Sequence, residues 1–439
     1  MGRTNWLAKI LRIYTKCPSS CYYSQGGHST ILNNIIQLER ITLKKLLNTI
    51  ALFLLTVLTS CQVSTPEQDL GDKFIFGEDN QYYFHLANIL ESPLAQSEDS
   101  YFSVSEGGML LSKNMETGKT IPLCNKPDCM HESGNENCNA CFGICQQISY
   151  YHNQLYILAA DHAVYEVDKS GNTRTKRLEI SDEDHETAMM VHRGYLYLAY
   201  TDFLSLPEDY DAESTKEKEY RVDRYRLDQW DGKAETIYEK KGEYGKIDDM
   251  FAYGNQLYLS FVSEKGSKGI IYNIVDQSTA PLPEINNYYT ALDGCLLYFE
   301  PPKGLTGEES REELYQIRQK NFAVMTDLQG KVLGETKISQ AEGTIFGCGD
   351  LIAVDNYMRV VTGNVPEEDR AVTFYNKAGE LLCKVNLMTA EFPVMGMSED
   401  FLFYKKETTV GGEGRIWAID LHKLDDPDLK GEPFFVSEE

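Results

Sequence analysis

Cationic charge is scarce in this chain. Its 42 Lys and Arg residues face 67 Asp and Glu, for a formal net charge of −25. Such a surface repels phosphate backbones and anionic lipid headgroups, which argues against nucleic acid as a partner and against electrostatic docking on a membrane. Catalytic signatures are missing too: there is no GxSxG elbow, no GxGxxG after a strand, no P-loop, no HExxH and no SxDxGxTW box. From Phe74 onward no long amphipathic helix appears, which counts against the alternating β and α segments of a transporter's solute-binding protein. The acidic runs at 181–186 and 424–428 lack the alternating oxygen-ligand spacing of a calcium loop. Only eight histidines occur. His152 and His192 fall at turn positions of repeated units and His85 in a strand-like run, so all three read as structural or exposed rather than catalytic. The many carboxylates offer no single acid/base pair, which leaves a polysaccharide-processing enzyme as an alternative that no motif supports.

What is present begins with an apolar run at 46–60, fifteen residues long, preceded by Arg40, Lys44 and Lys45 and closing on Cys61. It is shorter than the ~18 apolar residues of a membrane span. Basic flank and hydrophobic stretch in this order mark a secretory signal. Leu58, Thr59, Ser60 and Cys61 resemble a bacterial lipobox, in which the cysteine sulfur receives a diacylglycerol and becomes the mature N-terminus. Acyl chains gain roughly 0.8 kcal/mol per buried methylene, so two or three of them hold a soluble domain on a membrane. Residues 1–60 therefore read as a signal peptide behind an N-terminal extension from a mis-assigned start, and 61–73 as a lipidated polar tether. Removing 1–60 takes away seven basic side chains and one acidic one, moving the formal charge to −31. The membrane is expected as a partner through the lipid alone.

Residues 74–439 are rich in short alternating segments of Tyr, Val, Ile and Leu, which suit a pleated, half-buried surface. A turn carrying Gly, Asn or Asp followed by an apolar strand recurs from Tyr150, Val191, Ala252, Ala291, Phe346 and Gly396. Aligned on Leu155, Leu196, Leu257, Leu297, Leu351 and Phe401, the steps are 41, 61, 40, 54 and 50 residues, the period of propeller blades. A second hairpin follows in most units, at Ala163, Tyr225, Ala323 and Ala371, and an earlier unit at Asp99–Lys119 completes seven. The longest step contains a charged, turn-rich stretch at 204–218 that reads as a loop. The fold expected is all-β, a propeller of seven blades of four antiparallel strands, with six or eight as alternatives. The segment FIFGEDNQYYFHLANI, from Phe74, is expected to give an outer strand that closes the ring with the last unit.

Five of the eleven cysteines fall within 123–145, LCNKPDCMHESGNENCNACFGIC. Cys124, Cys129, His131 and Cys138 have spacings that would let three thiolates and an imidazole close a tetrahedral zinc site. Exported cysteines also commonly pair, and Cys141 and Cys145 raise the local count, so disulfides among these residues are the competing reading. Cys295, Cys348 and Cys383 lie in separate units and read as small buried hydrophobes. Here the chain resembles surface lipoproteins of anaerobic, clostridial-type gut bacteria, in which the first β-repeat runs into a segment like plCxkpdCxH followed shortly by CxA. Residues 121–131 and Cys138-Asn139-Ala140 carry the match, together with the lipobox and the tandem repeats. The resemblance covers essentially the whole chain after Cys61, with about 20 specific residues. It implies a propeller-like lipoprotein and no particular activity. The chain departs from the pattern by having Cys141 in place of an aromatic residue and by adding Cys145. The expected function is an extracytoplasmic, lipid-anchored binding or interaction module with a glycan or protein ligand.

Overall fold

The computed structural model describes residues 69–84, 93–105, 107–132, 134–180, 185–201, 219–241, 245–263, 266–283, 289–303, 305, 309–387, 392–407 and 414–435. Cys61 with its lipobox, the 204–218 stretch and His85 lie outside them. No described helix is long and apolar enough to cross a membrane.

Twenty-eight strands form seven sheets, each of four consecutive antiparallel strands, β1–β4 through β25–β28. This is a seven-bladed β-propeller. The first strands of neighbouring blades are β1 (Leu94–Gln96), β5 (Cys145–Tyr151), β9 (His185–His192), β13 (Gly245–Tyr253), β17 (Tyr289–Leu292), β21 (Thr344–Cys348) and β25 (Val394–Met397). They pack on one another, β1 on β5, β5 on β9, β9 on β13, β17 on β21 and β21 on β25, which places them innermost. Two-residue turns set the register within blades. In blade 2 the turn His152–Asn153 has φ of 45° and 63°, and in blade 3 Arg193–Gly194 has 46° and 82°, the doubly left-handed pattern that matches the twist of a hairpin. Tyr151 then opposes Gln154 and His192 opposes Tyr195.

The register corrects the sequence alignment in three units. Leu155, Leu196 and Leu257 are equivalent, opposing Tyr150, Val191 and Ala252. Their counterparts further on are Leu296, Ile352 and Leu402, one residue beside the alignment chosen from sequence. Inner strands are buried on both faces, so Leu296 and Leu297 are equally enclosed and alternation does not separate them. The repeated motif also marks the turn between a blade's first two strands, so blades begin upstream of it, at Cys145 (β5) and Val394 (β25) for example.

The segment after Phe74 is not an outer strand. Blade 7 takes all four of its strands from the C-terminal unit, β25 (Val394–Met397) to β28 (Glu432–Pro433). The ring closes through side chains instead: Tyr101 of β2 (Ser100–Val104) hydrogen-bonds Ser398 at 2.8 Å and packs on Phe403 and Phe434. Residues 69–84 form a plug on the axis, ending in a 3-10 turn at Tyr82–Phe84 that packs against the innermost strands β13, β17, β21 and β25. The reason is physical. Tyr82, Tyr83 and Phe84 are three consecutive bulky residues, all buried, whereas an outer strand keeps one face exposed and cannot bury three in a row.

Polar groups lock the plug in place. Arg193 donates from Nε to Asp79 at 2.7 Å and from Nη2 to the Lys73 carbonyl at 3.1 Å, inside the core. His192, with no exposed side chain, accepts from the Asn80 backbone N–H at Nδ1 (3.0 Å) and donates from Nε2 to the Gly254 carbonyl (2.8 Å). Gly254 sits at φ 58°, and a Cβ there would stand 2.7 Å from the Asp72 Cα, so the backbones meet where no side chain fits.

The two ends of the propeller differ. Antiparallel strands alternate direction, so the turns joining first to second strands all emerge at one end, while the links joining second to third strands and the blade crossovers emerge at the other. First-to-second turns are two or three residues in every blade. Among connections that the described residues trace, the three longest, 123–144, 299–321 and 356–370, all belong to the other end. The plug meets the tight-turn end, through bonds of Glu78, Asp72 and Asp69 to Arg193 and Asn255.

Candidate metal centre

The crossover from β4 (Thr120–Pro122) to β5 (Cys145–Tyr151) carries the cysteine-rich stretch, and the fold turns it into a clasp between blades 1 and 2. Toward blade 1, Leu110 N–H donates to the Ala140 carbonyl and Phe142 N–H to the Gly108 carbonyl. Toward blade 2, the clasp reaches outward to the turn before β8 (Arg174–Glu179): Asn125 N–H and the Asn139 side-chain amide both donate to the Gly171 carbonyl. Gly171 has φ 74°, and a Cβ there would lie 2.7 Å from the Leu123 backbone. Arg174 adds a second tie, with its guanidinium between the rings of Phe142 and Tyr165, 4.2 and 4.5 Å from their centroids. It donates from Nη1 to the carbonyls of Cys138, at 3.2 Å, and Cys141.

Within this frame Cys124, Cys129, His131 and Cys138 each present one ligand atom, and the four atoms all lie within 4.8 Å of one another. Two left-handed residues, Asp128 (φ 63°) and His131 (φ 51°), fold the first loop back on itself. His131 Nδ1 stands 3.7 Å from the Cys138 sulfur. In a tetrahedral Cys₃His zinc site, bonds of ~2.0–2.3 Å put ligand atoms roughly 3.5–3.8 Å apart, so the set needs only a small contraction to close on an ion.

The electrostatics suit thiolates. Burial raises the Cys124 thiol, but backbone N–H groups of Lys126 and Asn139 and the thiols of Cys129 and Cys138 outweigh it, and the group ends below the ordinary thiol value. Burial pushes Cys138 up to about 11, partly offset by the N–H of Ala140 and reinforced by the neighbouring sulfurs. One sulfur is thus ready to ionise and another resists because a second negative charge beside the first is costly. A divalent cation removes that conflict by ionising the coordinating thiols outright. The cationic Arg174 and Lys126, whose Nζ donates to the Asn137 carbonyl at 2.5 Å, flank the resulting negative centre. Four protein ligands close the coordination shell and leave no position for water or substrate, which makes such a site structural rather than catalytic.

The other cysteines stand apart. Cys141 is buried and its sulfur accepts the Gly134 N–H at 3.1 Å, while Cys145 is buried in blade 2, its thiol raised by desolvation and donating to the Gln147 carbonyl. All eight described cysteines are free thiols. Cys295 and Cys348 are buried, as small hydrophobes, and Cys383 is half-buried. His192, at the end of the first strand of blade 3, is fully buried against the plug, and His152 is exposed with Nε2 2.5 Å from Glu78. Sequence reasoning missed Arg174 and Asn139, which hold the clasp to blade 2. Their roles depend on a turn some 30 residues away in the chain, and no local pattern announces that contact.

The site and frame together define a class: a seven-bladed propeller with a Cys₃His cluster in its first blade crossover. No protein-family model matches the chain. No curated protein matches it either. Among solved structures, a prolyl endopeptidase is similar, with a TM-score of 0.50 and 11% identity over 79% of this chain; the alignment spans about half of that enzyme, 51%. BamB from Moraxella catarrhalis aligns with a TM-score of 0.36 and 10% identity, covering 74% of this chain and 79% of that one. An oligogalacturonate lyase in complex with manganese aligns with a TM-score of 0.47 and 10% identity, covering 81% and 91%. At such identities the likeness is one of fold alone.

Proposed function

We propose that this chain is a lipid-tethered binding module of the bacterial cell surface, anchored through Cys61 and stiffened by a structural zinc on Cys124, Cys129, His131 and Cys138. The observation that carries the reading is the asymmetry of the propeller's ends. The tight-turn end is stoppered by residues 69–84, and the chain from Cys61 arrives at that end through Asp69 and Asp72, bonded to Asn255. Asp69 is the eighth residue after Cys61, a reach of at most roughly 25–30 Å. The plugged end then faces the membrane and the end with the three long connections faces outward, where loops from several blades meet a ligand.

The test is fractionation and proteolysis of cells expressing the wild type and Cys61→Ala. The wild type is expected in the membrane fraction and the variant in the soluble extracytoplasmic fraction. On whole cells, protease is expected to nick the long connections before the plug. Membrane retention of the variant, or first cleavage at 69–84, would overturn the proposed topology.

A further inference from the structure

The outward end carries a groove between two helical insertions on adjacent blades. Helix α1 (Arg311–Gln319) lies between the second and third strands of blade 5, and α2 (Tyr357–Val361) between those of blade 6. They enclose, with the connector at 340–345, a cavity of about 260 Å³. Both insertions are held from below. Ser310 caps α1 in a capping box with Glu313, and the Arg318 carbonyl near the helix's end accepts from both Ala341 N–H and the Ser339 hydroxyl. The α2 insertion is pinched at its base by the buried Asp355–Arg370 ion pair, and Asn356 donates to the Asp369 carbonyl at 2.9 Å.

In a chain this acidic, the lining of that cavity is out of character. Arg311, Arg318 and Arg359 all contribute to it, beside Tyr315, Leu314 and Met358. Among the described residues, none of the three arginines forms an ion pair within 4.0 Å, although α1 itself carries acidic residues. Those acids are used elsewhere, Glu313 at the cap and Glu312 on Gln316 at 2.9 Å. Arg311 spends one donor on the Thr362 carbonyl and Arg359 one on the Tyr315 hydroxyl, both at 3.3 Å, and the Arg359 Nε has no partner among described residues. A guanidinium carries five N–H donors in a fork that matches a planar oxyanion, so most of the donors here are unspent. The remaining wall mixes apolar carbon with amide and hydroxyl groups, the surface a sugar ring takes.

From this juxtaposition of a cavity with three uncompensated guanidinium groups we infer that the α1–α2 groove is a binding site for an acidic saccharide, one or two rings long, whose carboxylate or sulfate is held by Arg311, Arg318 and Arg359. The inference deepens the binding-module reading and rests on it, but its test does not involve the tether.

The lipid-free Cys61→Ala protein is titrated by calorimetry with digalacturonate, with a sulfated disaccharide and with neutral maltose. Binding of at least one acidic probe is expected, weakened by added salt, with no heat from maltose. The probe that binds more tightly identifies the anion. Charge reversal at the exposed Arg311→Glu and Arg318→Glu, with circular dichroism confirming an intact fold, is expected to weaken binding at least tenfold each, since each removes a charge-assisted hydrogen bond and sets a like charge against the ligand's anion. Binding of maltose as tight as that of the acids, no binding of either acid, or affinity unchanged by both reversals would overturn the site. Failure of these titrations with normal membrane release of Cys61→Ala would remove the groove and leave the tethered module standing.

Discussion

Two segments of this protein belong to no blade, and they are ordered by different chemistry. The plug at 69–84 is held by burial: three consecutive aromatic residues enter the core, and around them a charged pair, Asp79 and Arg193, and a neutral His192 are fully enclosed and hydrogen-bonded. The clasp at 123–145 buries Leu123, Cys138, Ala140, Cys141 and Cys145, but the described residues of 125–137 are exposed or half-buried, and it is beside this stretch that the four potential ligand atoms converge. Where a segment can bury enough carbon, polar groups refine its position; where it cannot, the proposed coordination would supply ordering energy. Each therefore has its own way to fail.

The largest expected effect is on the clasp. Zinc sites in small peptides are worth ~10–16 kcal/mol of apparent binding free energy, and in the proposed site that energy would act on one segment rather than on the whole fold. Chelation of the metal, or Cys124→Ser, is expected to release one zinc per chain and to lower hydrogen-exchange protection across 123–145 by at least ~5 kcal/mol in opening free energy, leaving the plug amides of 79–84 as slow as before. Clasp protection that survives chelation, or metal-free protein whose thiols prove to be paired, would end the zinc reading in favour of disulfides.

The comparison also explains what the sequence made legible. Blade number was readable because a Gly or Asn in the left-handed region, at Asn153, Gly194, Gly254, Gly294 and Gly349, recurs at the first-to-second turns of blades 2 to 6. The convergence of Cys124, Cys129, His131 and Cys138 was readable because they lie within fifteen residues of one another, so spacing alone constrains their geometry. The plug was not. Tyr82, Tyr83 and Phe84 have strand-forming composition, and only the sevenfold closure of the ring, a property of residues up to 350 positions away, makes an axial site for them. The exact register of blades 5 to 7 was hidden for a related reason, since strands buried on both faces lose the alternation that would fix it.

The next effect falls on the plug. Phe84 is 1% exposed and packs edge-on against Tyr83 and Phe403, with ring centroids 4.6 and 5.7 Å away. Phe84→Ala is expected to cost about 3–5 kcal/mol of global stability, read as a lower urea midpoint with an unchanged slope. Its metal content should stay at the wild-type value. A stability loss below ~1 kcal/mol would mean that the plug is peripheral to the fold rather than part of its core.

The smallest effect is a pH dependence confined to the plug. His192 is neutral in the fold because its Nδ1 accepts a backbone N–H and its buried ring is cut off from water; burial, with Arg193 adding to it and Asp79 opposing it, lowers its pKa to about 4. The unfolded chain holds the ordinary value of about 6.5. As pH falls through that range the unfolded state takes up a proton that the folded state refuses, so the stability from this residue is complete above about 6.5 and is lost progressively toward about 4, where the accumulated loss is roughly 3 kcal/mol. Carboxylates titrate below this window and also erode stability, so a comparison is needed rather than a single curve. Replacing His192 with Gln, which does not titrate, is expected to remove the decline between pH 6.5 and 5 while leaving the decline below pH 4 in place. Urea unfolding at half-unit pH steps measures both proteins. If the stability difference between them is the same at pH 7 and pH 4.5, the buried imidazole does not couple the plug to pH.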